Sequence, residues 1–241
     1  MINLENFNWG WMKDPTNIYH IHSDGSHQHM GEYHKQSITK EIFEDKCYER
    51  FFKVEQNDIV LDIGASVGPF TYSILHKNPK HVFCFEPSER EFKTLIKNTI
   101  GYPVTHINKG VSNINSIVMN DHLFGGEDQM EAITFKKFIE LYGIEKIDFL
   151  KTDCEGGEYD IFNVENLKWI KSNVKKIVGE WHLKLQGHNY VEKFKQFRDT
   201  YLIEFNNFQV LSIDGVDIKW DLWNNHFLEH YQQIIIYIDN R

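Results

Sequence analysis

Apolar residues recur along this chain in two rhythms. From Ser37 onward Ile38, Ile42, Phe43, Tyr48, Phe51 and Phe52 fall at helical spacing behind a Ser/Thr opening, which predicts an amphipathic helix ending near residues 55–58. Ile59–Ile63 then reads as a short β-branched apolar run, the pattern of a buried parallel strand. A helix is expected over 70–76, and short apolar runs follow at 82–85, Val104–Ile107, 147–150 and 176–178. Helical stretches at Glu89–Thr99, 134–142, 159–162 and 191–205 space these runs too widely for hairpins, so helical crossovers and a mostly parallel sheet are predicted. The tail differs. Segments 208–213, 216–220 and 233–238, the first two joined by Asp214-Gly215, predict consecutive antiparallel strands closing one sheet edge. The fold class is therefore α/β, with helices on both faces of the sheet.

Composition narrows the functional classes. With 241 residues, 41% hydrophobic and 25% charged, the chain suits one globular domain rather than a disordered or coiled-coil protein. A formal net charge of -9 argues against a nucleic-acid partner, which needs clustered cations. The longest uninterrupted apolar run, 234–238, is far short of the roughly 20 residues that span a bilayer. No membrane partner and a cytoplasmic location are expected. Cys47, Cys84 and Cys154 stand alone, with neither CxxC pairs nor a disulfide framework, which fits a reducing compartment. Residues 1–37 read as an irregular N-terminal extension carrying His20, His22, His27, His29 and His34, open to reading as an arm, a lid or a metal tract. The aromatics Phe7, Trp9, Trp11 and Tyr19 are expected to pack on the domain rather than line a lid.

Chemistry concentrates where predicted strands end. Asp62-Ile63-Gly64-Ala65-Ser66-Val67-Gly68 leaves one strand and opens a helix, where backbone amides meet ligands in open α/β sheets. Glu86 ends the next strand 24 positions after Asp62, suited to accept hydrogen bonds from ribose hydroxyls, and Pro87 stops that strand. Asp153, Glu155 and Glu158 follow a third strand. Strand alternation puts the first two on one side, and Gly156-Gly157 permits a bend that returns Glu158. Such close carboxylates must share protons, find cations or bind a metal, and Lys151 supplies one charge. Glu180 and His182 share a side at the end of a fourth strand, with Trp181 facing the packing side. The turn also spells G-x-S-x-G through Ser66, with Asp153 and His182 following in hydrolase order, so an esterase is a competing reading. A non-catalytic nucleotide-binding module is another.

Taken together, the segment from Asp62 to Gly68, Phe85-Glu86-Pro87, Phe149 through Glu158, and Glu180-Trp181-His182 resemble the FkbM family of S-adenosylmethionine-dependent methyltransferases over roughly residues 41–182. The resemblance implies a class I methyltransferase (Rossmann-like) sheet of seven strands with an antiparallel C-terminal pair, the methyltransferase domain occupying 38–241. It implies S-adenosylmethionine as cofactor, with Asp62, Gly64, Ala65, Ser66 and Gly68 about its methionine part and Glu86 on its ribose. Ser66 stands where the family usually has Asn, and Thr134-Phe135-Lys136-Lys137 where it has Thr-Leu-Asp-Asp. It further implies O-methylation of a sugar or small metabolite, so the expected partner is a small-molecule or glycan acceptor. His182 or Asp153 is the expected base; Glu155, Glu158 and Glu180 are expected to orient the acceptor, without a metal.

Overall fold

The computed structural model describes residues 4–10, 19–21, 27–115, 117–121, 127–185 and 187–241. Seven strands form the main sheet: β1 (Ile59–Ile63), β2 (His81–Phe85), β3 (Val104–Ile107), β4 (Ile147–Thr152), β5 (Val174–His182), β6 (Phe208–Ser212) and β7 (Gln233–Asp239). Their spatial order is β6-β7-β5-β4-β1-β2-β3. β1 to β5 run parallel, while β7 lies antiparallel between β5 and β6. The α/β sheet with antiparallel C-terminal strands is thus as the sequence predicts.

Register brings the functional segments together. Ile63 pairs with Phe85 on one side and with Thr152 on the other, and Thr152 pairs with Gly179. The residues that follow, Gly64, Glu86, Asp153 and Glu180, therefore emerge side by side at the carboxyl edge of the sheet. Opposite faces of the strands feed two apolar clusters: Leu61, Ile63, Phe85, Leu150 and Ile177 lie in one, Val60, Cys84, Phe149 and Val178 in the other. The central strands β1 and β4 are buried on both sides, which is why their sequences are mainly apolar instead of strictly alternating.

Helix α1 (Met30–Ile38) begins before Ser37 and continues as a π-helix over Thr39–Glu44. Its first turns carry Gly31, Glu32 and His34 among few apolar residues, so the sequence shows no helical stripe there. The chain then enters β1, and α2 (Pro69–Ile74) and α3 (Glu89–Thr99) follow β1 and β2. Ser88 caps α3 by accepting from the Glu91 amide. Upstream, Phe7 and Trp9 are buried against Val67, as aromatic packing predicts. Asn98 on α3 ties that segment down: its amide donates to the carbonyls of Asn8 and Val67 at 2.9 and 2.7 Å. Trp11 and His22 lie outside the described residues, as do the side chains of Tyr19, His20, His27 and His29.

Two expectations fail. A small sheet of Gly110–Val111, Ile117–Asp121 and Glu127–Ile133 lies between β3 and α4 (Phe135–Tyr142), where the hydrophobic pattern predicts no strand. Thr134 caps α4 through the Lys137 amide, so Lys136 and Lys137 sit exposed on its first turn. Residues 216–220 form no strand. One bridge joins Leu211 to Asp217, and Lys219–Trp223 turns as a 3₁₀ helix. Ile218 and Leu222, four apart, are buried, while Trp220 is 86% exposed; the segment buries a helical rather than an alternating pair. Among the described residues, no helix is long and apolar enough to cross a membrane.

Candidate active site

The glycine turn after β1 is built by the backbone. Phe85 accepts from the amides of both Gly64 and Ala65, at 3.0 and 2.9 Å, and Ala65 accepts from Gly68 at 2.8 Å. Gly64, Ser66 and Gly68 all hold positive φ, of 76°, 50° and 89°. Gly64 is required by packing as well: a Cβ there would stand 1.7 Å from the Asp153 carbonyl oxygen. Beneath the turn, Asp62 is fully buried. It accepts from Thr71 Oγ1 at 2.7 Å, and its Oδ1 forms an ion pair with Lys151 Nζ at 3.1 Å. The same ammonium donates to the Gly64 carbonyl at 2.7 Å. Burial opposes the charge on Lys151, but Asp62, then Asp153 and Glu180, raise its pKa.

Glu86 spans the next gap. Its Oε2 accepts from the Ser66 amide at 2.8 Å and its Oε1 from the Ser88 amide at 2.7 Å, which leaves one lone-pair site on each oxygen. Burial, then the charge of Glu91, push its carboxyl up to about 8, against the pull of the two amides. A carboxyl raised above its ordinary 4.5 lends stability that is whole below that pH and is lost as the pH climbs through about 8. The urea midpoint of cofactor-free protein should therefore fall between about pH 5 and pH 8, and fall less in Glu86→Gln, whose amide does not titrate. Equal slopes would mean that Glu86 is already ionised at the lower pH.

The acidic segment does not continue β4 as a strand. β4 ends at Thr152, and Glu155 takes φ 56°, reversing the chain into the short helix α5 (Glu158–Ile161). Glu158 is 0% exposed. Its oxygens accept from the amides of Cys154 and Gly156 at 2.8 and 2.9 Å, and its Oε1 lies 3.3 Å from His182 Nδ1. Gly156-Gly157 does return this carboxylate, as expected, but onto its own loop. Glu155 instead faces outward, its side chain 46% exposed, with Oε2 at 3.6 Å from His182 Nε2.

Asp153 and Glu180 meet at Tyr48. The phenol lies 2.9 Å from Asp153 Oδ2 and 3.1 Å from Glu180 Oε1, and Gln233 donates to Glu180 Oε2 at 2.9 Å. Sequence reasoning placed Tyr48 on an apolar helix face and did not single out Gln233. No local signal marks either, because their partners are 105, 132 and 53 positions away. Burial and Asp153 raise Glu180 to about 8. Burial likewise raises Glu155 to about 7, with His182 opposing. Burial works to lower His182, but the hydrogen-bonded charge of Glu158, with Asp153 and Glu155, carries it up to about 10. The site thus spreads few positive charges over many carboxylates.

The esterase constellation is not assembled. Among the described residues no hydrogen bond joins Ser66 to His182, whose ring nitrogens face Glu158 and Glu155.

A seven-stranded sheet of this order, with a glycine turn after β1 and an acid ending β2, defines a class I methyltransferase fold. The model of the methyltransferase FkbM domain matches residues 62–210, more than half of the chain, and the chain belongs to that family. "Methyltransferase 1" of Beauveria bassiana (strain ARSEF 2860) is 29% identical over 99 residues, 41% of this chain and 35% of that protein. The 31-O-demethyl-FK506 methyltransferase FkbM of Streptomyces tacrolimicus is 28% identical over 95 residues, 39% of this chain and 36% of that protein. The matches span about a third of the length of these curated relatives. Among solved structures, the plantazolicin methyltransferase BpumL in complex with SAH is 14% identical, with a TM-score of 0.46 and 87% of each chain covered.

Proposed function

We propose that this chain is an S-adenosylmethionine-dependent methyltransferase that methylates a hydroxyl of a small molecule or sugar. Family membership supports the reaction class. The observation that carries the cofactor reading is Glu86, held at the edge of the glycine turn by the Ser66 and Ser88 amides with a lone-pair site left on each oxygen. Those two sites fit a ribose diol, and Ser66, in the left-handed conformation, keeps the turn open beside it. Bound there, S-adenosylmethionine would supply a methyl group on a sulfonium, open to in-line attack by the acceptor oxygen.

The chain's own residues position that acceptor and take its proton. Asp62 and Lys151 hold the turn from beneath, and Glu158 holds the following loop together with the imidazole of His182. These are bracing roles, because Asp62 and Glu158 are fully buried. Glu155 is the most exposed carboxylate of the group, and among the described residues its oxygens accept no hydrogen bond. It is the base in this reading, in place of His182 or Asp153, the residues expected from the sequence. The Streptomyces relative is named for a 31-O-demethyl substrate, which favours oxygen over nitrogen as the acceptor atom.

Calorimetric titration with S-adenosylmethionine tests the reading. The chain should bind it, and Glu86→Gln should weaken binding about 10- to 100-fold, because the new amide nitrogen can accept neither from the backbone amide it would face nor from the ribose. Unchanged affinity in a folded variant would remove Glu86 from the ribose. With any hydroxylated acceptor that turns over, Glu155→Gln should lower kcat on the order of 10²-fold while cofactor affinity stays. Equal kcat would return the base to Asp153 or His182.

A further inference from the structure

The carboxyl ends of β4 and β5 carry a set of ligands that methyl transfer by residues alone does not use. Asp153, Glu180 and His182 each offer one donor atom, and these atoms lie within 4.8 Å of one another. Glu180 and His182 are buried, whereas Asp153 is only partly covered, so the set is walled on one side and reachable on the other. We propose that Asp153, Glu180 and His182 bind a divalent metal ion. This reverses the expectation of metal-free chemistry drawn from the sequence.

Three further observations point to a cation. First, His182 is 3% exposed, yet its Nε2 makes no hydrogen bond among the described residues; Glu155 Oε2, at 3.6 Å, is beyond hydrogen-bond reach. Its other nitrogen, Nδ1, lies 3.3 Å from Glu158, a carboxylate outside the triad that is itself fixed by the Cys154 and Gly156 amides. A carboxylate behind one ring nitrogen orients the imidazole and, once the ion has displaced the Nε2 proton, makes that nitrogen a better metal ligand. Second, Tyr48 has a single hydroxyl proton for two carboxylates, so Asp153 and Glu180 cannot both be satisfied by it at one moment. Third, the buried ammonium of Lys151 is committed to Asp62 and to the Gly64 carbonyl.

Two carboxylate oxygens and one imidazole nitrogen suit a Mn²⁺- or Zn²⁺-like ion, with further positions left for water or an acceptor oxygen. A hydroxyl on such an ion loses its proton more readily. In the proposed reaction the acceptor's O–H proton would pass to Glu155 as the oxygen bonds the methyl carbon and the carbon–sulfur bond breaks, leaving a neutral thioether. This catalytic consequence rests on the methyltransferase reading, but binding of the ion does not.

The test is titration of the chelator-treated full chain with Mn²⁺ alone, followed by loss of the free Mn²⁺ paramagnetic resonance signal. One site per chain is expected, weakened at least about 100-fold in Asp153→Asn and in Glu180→Gln. Asp153→Asn is isosteric and partly exposed, so it guards against a folding defect in the more buried Glu180→Gln. Affinity weaker than about 1 mM, the weak end for carboxylate sites, would overturn the proposal. So would a site of unchanged affinity in both folded variants. Mn²⁺ binding without S-adenosylmethionine binding would keep the metal site and remove the proposed function; the converse result would do the opposite.

Discussion

Gly64→Ala is expected to be the most damaging single methyl that can be added to this protein's active-site turn. The new Cβ would lie 1.7 Å from the Asp153 carbonyl oxygen and 2.7 Å from its carbonyl carbon. Both are backbone atoms, and Asp153 is tied through its own amide to the Ile63 carbonyl at 3.0 Å. No side-chain rotation relieves that contact. The φ of 76° adds strain for any residue with a Cβ. To relieve it, the turn must lift from β4, which breaks the hydrogen bond from the Gly64 amide to the Phe85 carbonyl and the one from Lys151 to the Gly64 carbonyl. Overpacking and strain together should cost about 3 kcal/mol or more. Gly101→Ala is the control: its φ is 86° but nothing lies within 4 Å of the added carbon, so only strain of about 1–2 kcal/mol applies. Urea midpoints compare the two. Equal losses would show that the turn yields at no cost and that Gly64 is there for its φ alone.

Much of this site could be read in the sequence, for identifiable reasons. The parallel strands announced themselves because burial on both faces keeps their central positions apolar, Val60 and Leu61 in β1, 82–85 in β2, and Phe149 and Leu150 in β4, while polar residues such as Asp62 and Lys151 enter only toward the ligand edge. The ligand edge then follows from strand ends alone, so Gly64, Glu86, Asp153 and Glu180 were legible as neighbours before any packing was known. What failed was alternation carried past a strand's end. Asp153 and Glu155 were expected on one side, but β4 stops at Thr152 and Glu155 turns through the left-handed region. Glu158 was expected to face the acceptor, and it lies fully buried on its own loop. Tyr48 was hidden for another reason: an aromatic on a helical stripe reads as core, and its phenol is at once core and the bridge between two carboxylates. In the tail, Ile218 and Leu222 bury at a spacing of four that the Gly215 turn disguised as a hairpin.

Lys151→Met separates bracing from binding. The lysine is buried, and methionine matches its stem in length without the charge. Its loss leaves Asp62 with the Thr71 hydroxyl as its remaining hydrogen-bond donor, and deprives the Gly64 carbonyl of its donor. Breaking a buried ion pair from one side costs about 3–5 kcal/mol, because the stranded charge keeps its desolvation penalty. The expected result is therefore a large fall in the urea midpoint. Removing the second charge as well should reverse much of it, since exchanging both members of a buried pair for neutral groups is often close to neutral. Asp62→Asn combined with Lys151→Met should thus be more stable than Lys151→Met alone, a coupling that a double-mutant cycle measures. If the double variant is instead as unstable as the sum of the two single changes, then Lys151 stabilises the turn through Gly64 and the Tyr48 ring, 5.3 Å away, rather than through Asp62.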